Sequence, residues 1–208
     1  MTRSSVAGSE SHDDKAQDVV AAARAMARSG LVVGTVGNVS ARQGNGFVIT
    51  PTRVDYELVE PGDLAFVGLS RHSPPAEPNA SREAPLHAAI YRARPDIGAV
   101  VHTHSVHATA WSFLNAPLEP PVEEIEYYGI GEIRTSTPAT SGSPALGKNA
   151  VEALGGGAAV LLGRHGVVAV GPDPAEALTI ARVVEVQAEV AWLLRRNRTL
   201  FVPGERPQ

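Results

Sequence analysis

The sequence predicts a layered α/β/α domain, in which helices cover both faces of one sheet. Helical and strand-like apolar patterns alternate along the chain, but without the regular order of βαβ repeats. The size also fits, because 208 residues with 43% hydrophobic and 19% charged side chains suit one soluble globular domain. We therefore expect a single domain at residues 13–202, with flexible tails at 1–12 and 203–208.

The first half of the chain predicts one helix followed by short strands. A helical stripe of apolar residues places the helix at 13–28, with Gly30 as its stop signal. Apolar runs bounded by glycine or proline predict strands at 31–33, 39–42, 46–50 and 64–69. Residues 71–80, which contain three prolines, are predicted to form a loop.

The second half alternates helices with strands that end in histidines. Apolar stripes predict helices at 83–93, 106–114, 144–154 and 174–196. Strands are predicted at 98–104, near Ile133 and on both sides of His165.

Composition excludes several classes of function. The chain has no cysteine, so disulfides and thiolate metal ligands are excluded. A formal net charge of -4 gives no general electrostatic reason to bind nucleic acid or an anionic membrane. The first residues lack an apolar signal segment, and no stretch reaches the roughly 18–20 apolar residues that span a bilayer. We expect a cytoplasmic protein with neither nucleic acid nor membrane as a partner.

Two histidines in the segment 98–104 are the strongest sign of chemistry. His102 and His104 are separated by two positions in a β-branched apolar run. Residues i and i+2 of a strand project from the same face, about 6.5–7 Å apart, so both rings can converge on one ion. His165 ends another apolar run and is the third candidate. Three neutral imidazoles and an open position are typical of a catalytic zinc site.

Each of these histidines alone would more often be a hydrogen-bonded core or surface residue, and only their combination favours a metal. His87 and His107 do not share the strand-face geometry, and we do not assign them as ligands. His87 lies four residues after Glu83, on the same helix face, and could be packed or act through a ligand.

Glu83 and the segment 34–40 are weaker candidates. Glu83 could serve as an acid/base group or simply as a first-turn carboxylate that favours the positive end of a helix. The segment 34–40 combines glycines with Asn38 and Ser40, which could bind an anion or form an ordinary turn.

These residues together resemble the class II aldolase/adducin family, particularly the fuculose-phosphate-type aldolases. The resemblance covers most of the chain and rests on six ordered motifs: Gly37-Asn-Val-Ser40, Ile49-Thr-Pro-Thr52, Glu83-Ala-Pro-Leu-His87, Arg94-Pro-Asp96, Val100-Val-His-Thr-His104 and Arg164-His-Gly166. It implies a three-layer α/β/α domain whose central sheet is mainly antiparallel.

The resemblance also implies a function and a set of site residues. It implies a metal-dependent aldolase that cleaves a small ketose 1-phosphate to dihydroxyacetone phosphate and an aldehyde, within a homotetramer whose active sites lie between subunits. The metal, usually zinc, would bind His102, His104 and His165, with Glu83 as acid/base. Tyr127 is the best match to a proton donor from the neighbouring subunit, although Tyr128 is adjacent. Phosphate binding would fall to Gly37, Asn38, Ser40, Thr52, Arg53, Ser81 and Arg82.

Two departures from the family keep other functions open. Arg53 and Arg82 stand where the family usually has glycine and serine, and they could bind phosphate or carboxylate or point outward. The alternatives are a decarboxylase of a phosphorylated 3-oxo acid, or a sugar-phosphate dehydratase or epimerase. A non-catalytic adducin-like module is disfavoured because the histidine triad and Glu83 are present.

Overall fold

A computed structural model describes residues 12–70, 77–114, 116–119 and 122–196, and seven of its segments form one sheet. The strands are β1 (Asn38–Gln43), β2 (Gly46–Ile49), β3 (Ala65–Gly68), β4 (Ala99–Thr103), β5 (Arg134–Thr135), β6 (Ala159–Leu162) and β7 (Gly166–Gly171).

Strand β4 lies in the middle of this sheet. The spatial order is β3-β2-β1-β4-β7-β6-β5, and every neighbouring pair is antiparallel except β5 and β6. On β4, His102 pairs with Asn38 of β1 on one side and with Val168 of β7 on the other. The predicted, mainly antiparallel sheet is confirmed, and its central strand carries the histidine motif.

Six α-helices form the two outer layers in the part of the chain that the structure describes. They are α1 (His12–Arg28), α2 (Ala84–Ala93), α3 (Val106–Trp111), α4 (Glu123–Tyr127), α5 (Pro144–Leu154) and α6 (Pro174–Arg196). Helices α1, α3 and α6 pack in one hydrophobic core, and α2 and α5 pack in the other. The predicted three-layer α/β/α architecture is therefore confirmed.

Alternation along the central strands separates the two cores. On β4, Val101 faces the core with α1 and α6, whereas Val100 faces the core with α2 and α5. Val167 and Val168 of β7 divide in the same way. Because successive strand side chains point to opposite faces, a continuous apolar run is what a sheet covered on both faces requires.

The strand predicted at residues 31–33 is wrong. Residues 31–33 form no strand but a bend between α1 and β1, in which Leu31 and Val32 are buried and Val33 is exposed. Gly30 and Gly34 on either side adopt left-handed backbone, so the segment is too short and too sharply turned to pair along its length. Helix α4 was not predicted from the sequence.

The remaining elements lie within two residues of their predicted bounds, apart from α3, which ends at Trp111 rather than at residue 114. Of the predicted tails, residues 1–11 and 203–208 lie outside the described residues, whereas residue 12 begins α1. The predicted loop at 71–80 is described only from residue 77.

None of the helices that the structure describes is long and apolar enough to cross a membrane.

Candidate active site

Three histidine rings meet at the end of β4. His102 lies on β4 and His104 follows it, and their Nε2 atoms are 2.9 Å apart. The ring of His165, from the turn between β6 and β7, lies with its centroid 4.9 Å from each of the other two. The spacing of two positions on a strand thus brings the rings together as expected.

Glu83 completes this cluster from the position just before α2. Its Oε2 lies 3.0 Å from His102 Nε2, and its Oε1 lies 3.3 Å from His165 Nε2. One ligand atom from each of the four residues lies within 4.8 Å of all the others. We call Glu83, His102, His104 and His165 the histidine–glutamate cluster.

Hydrogen bonding orients His102 for ligation. Its Nδ1 donates to the backbone oxygen of Val167 at 2.8 Å, on the neighbouring strand β7. With this contact on Nδ1, Nε2 is the nitrogen that can offer a lone pair to a metal, and it points into the cluster. The backbone N–H of His104 donates to the oxygen of Leu31 at 3.2 Å, so the bend at 31–33 fixes the main chain that carries the second ring.

The turn that carries His165 depends on close approach of the chain. A Cβ on Gly166 would collide with the backbone oxygen of Thr103 and lie 3.2 and 3.3 Å from the rings of His102 and His104. Arg164 adopts a left-handed backbone conformation with φ of 60°. Glycine at 166 therefore leaves room for the two rings.

Two neutral donors hold the Glu83 carboxylate. Ser141 Oγ donates to Oε1 at 2.8 Å, and Asn38 Nδ2 donates to Oε2 at 3.1 Å. Sequence reasoning missed Ser141, which lies 58 positions from Glu83 in an ordinary-looking turn with no motif of its own. Each carboxylate oxygen thus faces one imidazole and one neutral donor.

A buried polar network continues behind Asn38. Asn38 Oδ1 is hydrogen-bonded to His87 Nε2, His87 Nδ1 lies 2.6 Å from Ser40 Oγ, and Ser40 Oγ lies 2.9 Å from the hydroxyl of Tyr91. All four residues are buried. Ser40 has no exposed surface, so the structure places it behind the cluster rather than on an open binding face.

Burial and neighbouring charge set the protonation of the cluster. Burial raises the pKa of Glu83, but its contacts with His102, His165 and Ser141 outweigh burial and leave that pKa well below the usual range. Burial lowers the pKa of His104 to about 4 and lowers that of His165 as well. These two imidazoles are therefore neutral near pH 7, which is the form that binds metals.

The donor set fits a divalent metal. Imidazole nitrogen and carboxylate oxygen are ordinary zinc ligands, and bonds of about 2.0–2.1 Å place tetrahedral ligand atoms about 3.3 Å apart. The nearest contacts within the histidine–glutamate cluster, 2.9 to 3.3 Å, are close to that separation.

A family model described as Class II Aldolase and Adducin N-terminal domain matches residues 17–192. The chain belongs to this family. An L-fuculose phosphate aldolase of Escherichia coli O6:H1 is 38% identical over 176 residues, covering 84% of this chain and 81% of that protein. A 5-methylthioribulose-1-phosphate/5-deoxyribulose-1-phosphate aldolase of Rhodospirillum rubrum is 35% identical over 175 residues, covering 84% of this chain and 78% of that protein.

Solved structures agree with these relatives. An L-fuculose-1-phosphate aldolase from Thermus thermophilus superposes with a TM-score of 0.79 at 30% identity, covering 91% of this chain and 97% of that one. An L-fuculose 1-phosphate aldolase gives a TM-score of 0.80 at 27% identity, covering 96% and 94%. The protein is a class II aldolase, a carbon–carbon lyase of a metal-dependent family.

In this class II aldolase, the loops predicted to bind phosphate border the histidine–glutamate cluster. Gly37 has φ of 76°, and a Cβ there would lie 2.6 Å from the backbone oxygen of His102. An isolated bridge joins Pro51 to Ala80, and the N–H of Thr52 donates to the oxygen of Asn79. Ser81 Oγ accepts from the N–H of Glu83 at 3.3 Å. The segments 50–53 and 79–82 therefore lie side by side, next to Glu83.

The two unusual arginines of this class II aldolase differ in their backbone. Both Arg53 and Arg82 are exposed. Arg53 has φ of 61°, the left-handed region that favours glycine. The backbone at Arg53 thus has the shape of a glycine turn.

Tyr127 and Tyr128 lie at the C-terminal end of α4, which carries no member of the histidine–glutamate cluster. Tyr127 is the last residue of α4 and is 80% exposed, whereas Tyr128 is 37% exposed and its ring lies 5.0 Å from that of Tyr127. A residue so exposed is available to a neighbouring molecule.

Proposed function

We propose that this class II aldolase reversibly cleaves a small ketose 1-phosphate to dihydroxyacetone phosphate and an aldehyde. The observation that carries the proposal is the histidine–glutamate cluster, because its four ligand atoms lie within 4.8 Å of one another. The names of the relatives support it, since they act on L-fuculose phosphate and on 5-methylthioribulose 1-phosphate.

We infer that His102, His104 and His165 hold a divalent metal and that this metal is zinc. Three imidazoles with a carboxylate suit zinc better than the harder cations, which prefer ligands made of oxygen alone. When bound, such a metal supplies Lewis-acid stabilisation of negative charge on the carbonyl and hydroxyl oxygens of the substrate.

Glu83 is the group placed to move a proton. In the cleavage direction the Glu83 carboxylate takes the proton of the C4 hydroxyl, the C3–C4 bond breaks as the C4 oxygen becomes the carbonyl of the departing aldehyde, the bonding pair stays on C3, and Glu83 delivers the proton to C3. In the synthetic direction the Glu83 carboxylate takes that proton back. Its lowered pKa keeps it ionised at rest, and Ser141 and Asn38 fix the direction of its lone pairs.

We propose that the loops beside Glu83 bind the substrate phosphate. Thr52 and Ser81 lie on the two segments next to the cluster, and Gly37 and Asn38 lie where β1 begins beside it. Arg53 and Arg82 add exposed positive charge to the same two segments. Ser40 has a different proposed role, because it is completely buried and contacts His87 and Tyr91.

Three further proposals extend beyond one chain. Tyr127, or Tyr128 beside it, would donate a proton to the active site of a neighbouring subunit, which the exposure of Tyr127 permits. The protein would then be a homotetramer with active sites between subunits. A cytoplasmic location also stays a prediction.

The test is product analysis with purified, zinc-loaded protein. L-fuculose 1-phosphate and 5-methylthioribulose 1-phosphate are offered separately, and release of dihydroxyacetone phosphate is followed with a coupled reductase. We expect cleavage of at least one substrate, loss of activity with a chelator, and recovery on adding Zn²⁺. Failure to release dihydroxyacetone phosphate from either substrate, or activity indifferent to the chelator, would contradict the proposal. A phosphorylated 3-oxo acid in parallel distinguishes a decarboxylase.

A further inference from the structure

A single file of hydrogen-bonded side chains connects the interior of the protein to Glu83. It runs from Tyr91 through Ser40, His87 and Asn38 to the carboxylate. We propose that His87 is a positioning residue for Glu83, acting through Asn38 as a neutral imidazole that carries its proton on Nε2. The inference rests on the proposed function in one respect only, which is that Glu83 takes part in the reaction.

The polarity of the file is fixed at its Glu83 end. An ionised carboxylate can only accept hydrogen bonds, so Asn38 must present its amide N–H₂ to Glu83 Oε2, at 3.1 Å. The amide oxygen of Asn38 then faces His87 Nε2. Because that oxygen is also only an acceptor, His87 Nε2 must carry a proton and donate it.

The donor and the acceptor of each remaining contact in the file follow from the same argument. A neutral His87 with its proton on Nε2 has a lone pair on Nδ1, so Ser40 Oγ donates to it across 2.6 Å. The Ser40 oxygen can then accept from the Tyr91 hydroxyl at 2.9 Å. Each contact along the file thus pairs one donor with one acceptor.

The surroundings of His87 favour the neutral ring. His87 is completely buried. Its ring stacks against the ring of Phe47, with an angle of 21° between the two planes and 6.3 Å between the centroids. Among the described residues, the hydrogen-bond partners of its two ring nitrogens are uncharged. A buried imidazolium without a carboxylate on either nitrogen is costly.

The consequence lies in the freedom of the Asn38 amide. If His87 did not donate to Oδ1, the amide could rotate and present its oxygen to Glu83, which would repel the carboxylate. The neutral donor on Oε2 would be lost, and Glu83 would shift relative to His102. Partners that orient a ligand in this way typically change metal affinity or activity by about 10- to 100-fold when removed.

The tautomer of His87 is tested by NMR, with no need for turnover. Long-range ¹H–¹⁵N correlation of the zinc-loaded protein at pH 7.5, assigned with His87→Gln, should show a protonated Nε2 and an unprotonated Nδ1. A proton on Nδ1, whether alone or together with one on Nε2, would overturn the inference. This readout does not depend on which substrate the enzyme cleaves, or on its cleaving any.

The positioning role is tested with a graded set of variants. His87→Leu removes the donor, whereas His87→Gln is the conservative variant that can still donate to Asn38 Oδ1. We expect kcat of His87→Leu to fall about 10- to 100-fold with KM changed less than about threefold, and kcat of His87→Gln to recover most of that loss. Zinc affinity, measured by chelator competition, should fall in the same order.

Tyr91→Phe is the matched control, because it removes only the far hydroxyl and leaves Ser40 free to donate; its kcat should stay within about twofold of wild type. If His87→Leu does not fold, Ser40→Ala replaces it. Without the Ser40 hydroxyl, no donor faces Nδ1, so the proton of His87 is no longer held on Nε2 and kcat should also fall. A purely structural role would lower the melting temperature of these variants while kcat of the folded protein and its zinc affinity stay unchanged, and that result would overturn the proposal.

Discussion

Glu83 is the residue on which the contacts of the site converge. Its Oε1 faces His165 and Ser141, and its Oε2 faces His102 and Asn38. A carboxylate with both oxygens occupied cannot swing freely, so its lone pairs are aimed before substrate arrives. The proposed proton transfer depends on this fixed direction as much as on the charge.

Replacing Glu83 by Gln tests the proton transfer directly. The amide keeps the size of the side chain but cannot take a proton, so kcat should fall by about 10²- to 10⁴-fold. Zinc content should stay near one per chain, because the three histidines remain. Steady-state kinetics and elemental analysis of the same preparation measure both effects. Unchanged kinetics would reject the role of Glu83.

Replacing His104 by Ala tests the metal site. The variant should lose most of its zinc and its activity, since His104 supplies one of three imidazoles. His107→Gln is the matched control, because His107 lies three residues on and its ring contacts Glu185 on α6 instead of the cluster. Elemental analysis after dialysis measures both proteins. Equal zinc content in the two variants would contradict the assignment.

At this scale the sequence predicted the cluster but not its supports. His102 and His104 could be paired because strand geometry fixes the relation of i and i+2, and a strand-end position marked His165. Ser141 contributes through long-range packing, which local spacing in the sequence does not predict. No sequence motif indicates that the Asn38 amide is rotated with its N–H₂ toward Glu83.

Among the elements, the close approach of β4 to β7 restricts the size of the residue at position 166. Gly166→Ala would press a methyl group against the Thr103 oxygen and the rings of His102 and His104. We expect the free energy of unfolding to fall by about 1–3 kcal/mol, as overpacking usually costs, and zinc affinity to fall with it. Gly156→Ala is the control, because a Cβ there meets nothing within 4 Å. Urea denaturation compares the two, and equal stability would refute the packing argument.

The Arg53 turn predicts a stabilising substitution. A left-handed backbone costs a non-glycine residue about 1–2 kcal/mol, and the greater freedom of glycine in the unfolded chain offsets about 0.4–1 kcal/mol of that. Arg53→Gly should therefore raise the free energy of unfolding by about 0.5 kcal/mol. Arg82→Gly is the control, because Arg82 is also exposed but is not among the described residues with positive φ, and it should not stabilise. Urea midpoints decide between them.

Periodicity predicted the long elements and failed on short ones. Helices α1, α2, α5 and α6 carry clear apolar stripes, whereas α4 has five residues, of which only Ile125 is buried. A single buried residue leaves no period to detect. Leu31 and Val32 are apolar because they are buried, not because they pair in a sheet. Burial without pairing is the reason that the predicted strand was wrong.

For the whole molecule, buried His87 predicts a dependence of stability on pH. Burial lowers the pKa of His87 to about 3 in the folded protein, against about 6.5 when unfolded. As pH falls below about 6.5, His87 becomes protonated in the unfolded chain but not in the folded protein. The contribution of His87 to the free energy of unfolding is therefore complete above that pH and is lost progressively down to about pH 3.

Denaturant titrations at pH 7 and pH 5 check this prediction. Wild type should lose about 2 kcal/mol more than His87→Gln over that interval, since each pH unit below the unfolded pKa is worth at most about 1.4 kcal/mol. Both proteins are measured free of metal, so that the other histidines contribute equally to each. Parallel losses in the two proteins would show that His87 takes up its proton while folded.

The order of the strands determines which parts of the sheet must open before the histidine–glutamate cluster is disrupted. Two histidines sit at the end of β4, which has three strands on each side, so fraying that starts at β3 or β5 must pass β2 and β1, or β6 and β7, before it reaches them. The other two members come from the start of α2 and from the turn before β7. An ion held there would clamp segments far apart in the chain, and its escape would require the same cooperative opening that exposes the most protected amides of the protein.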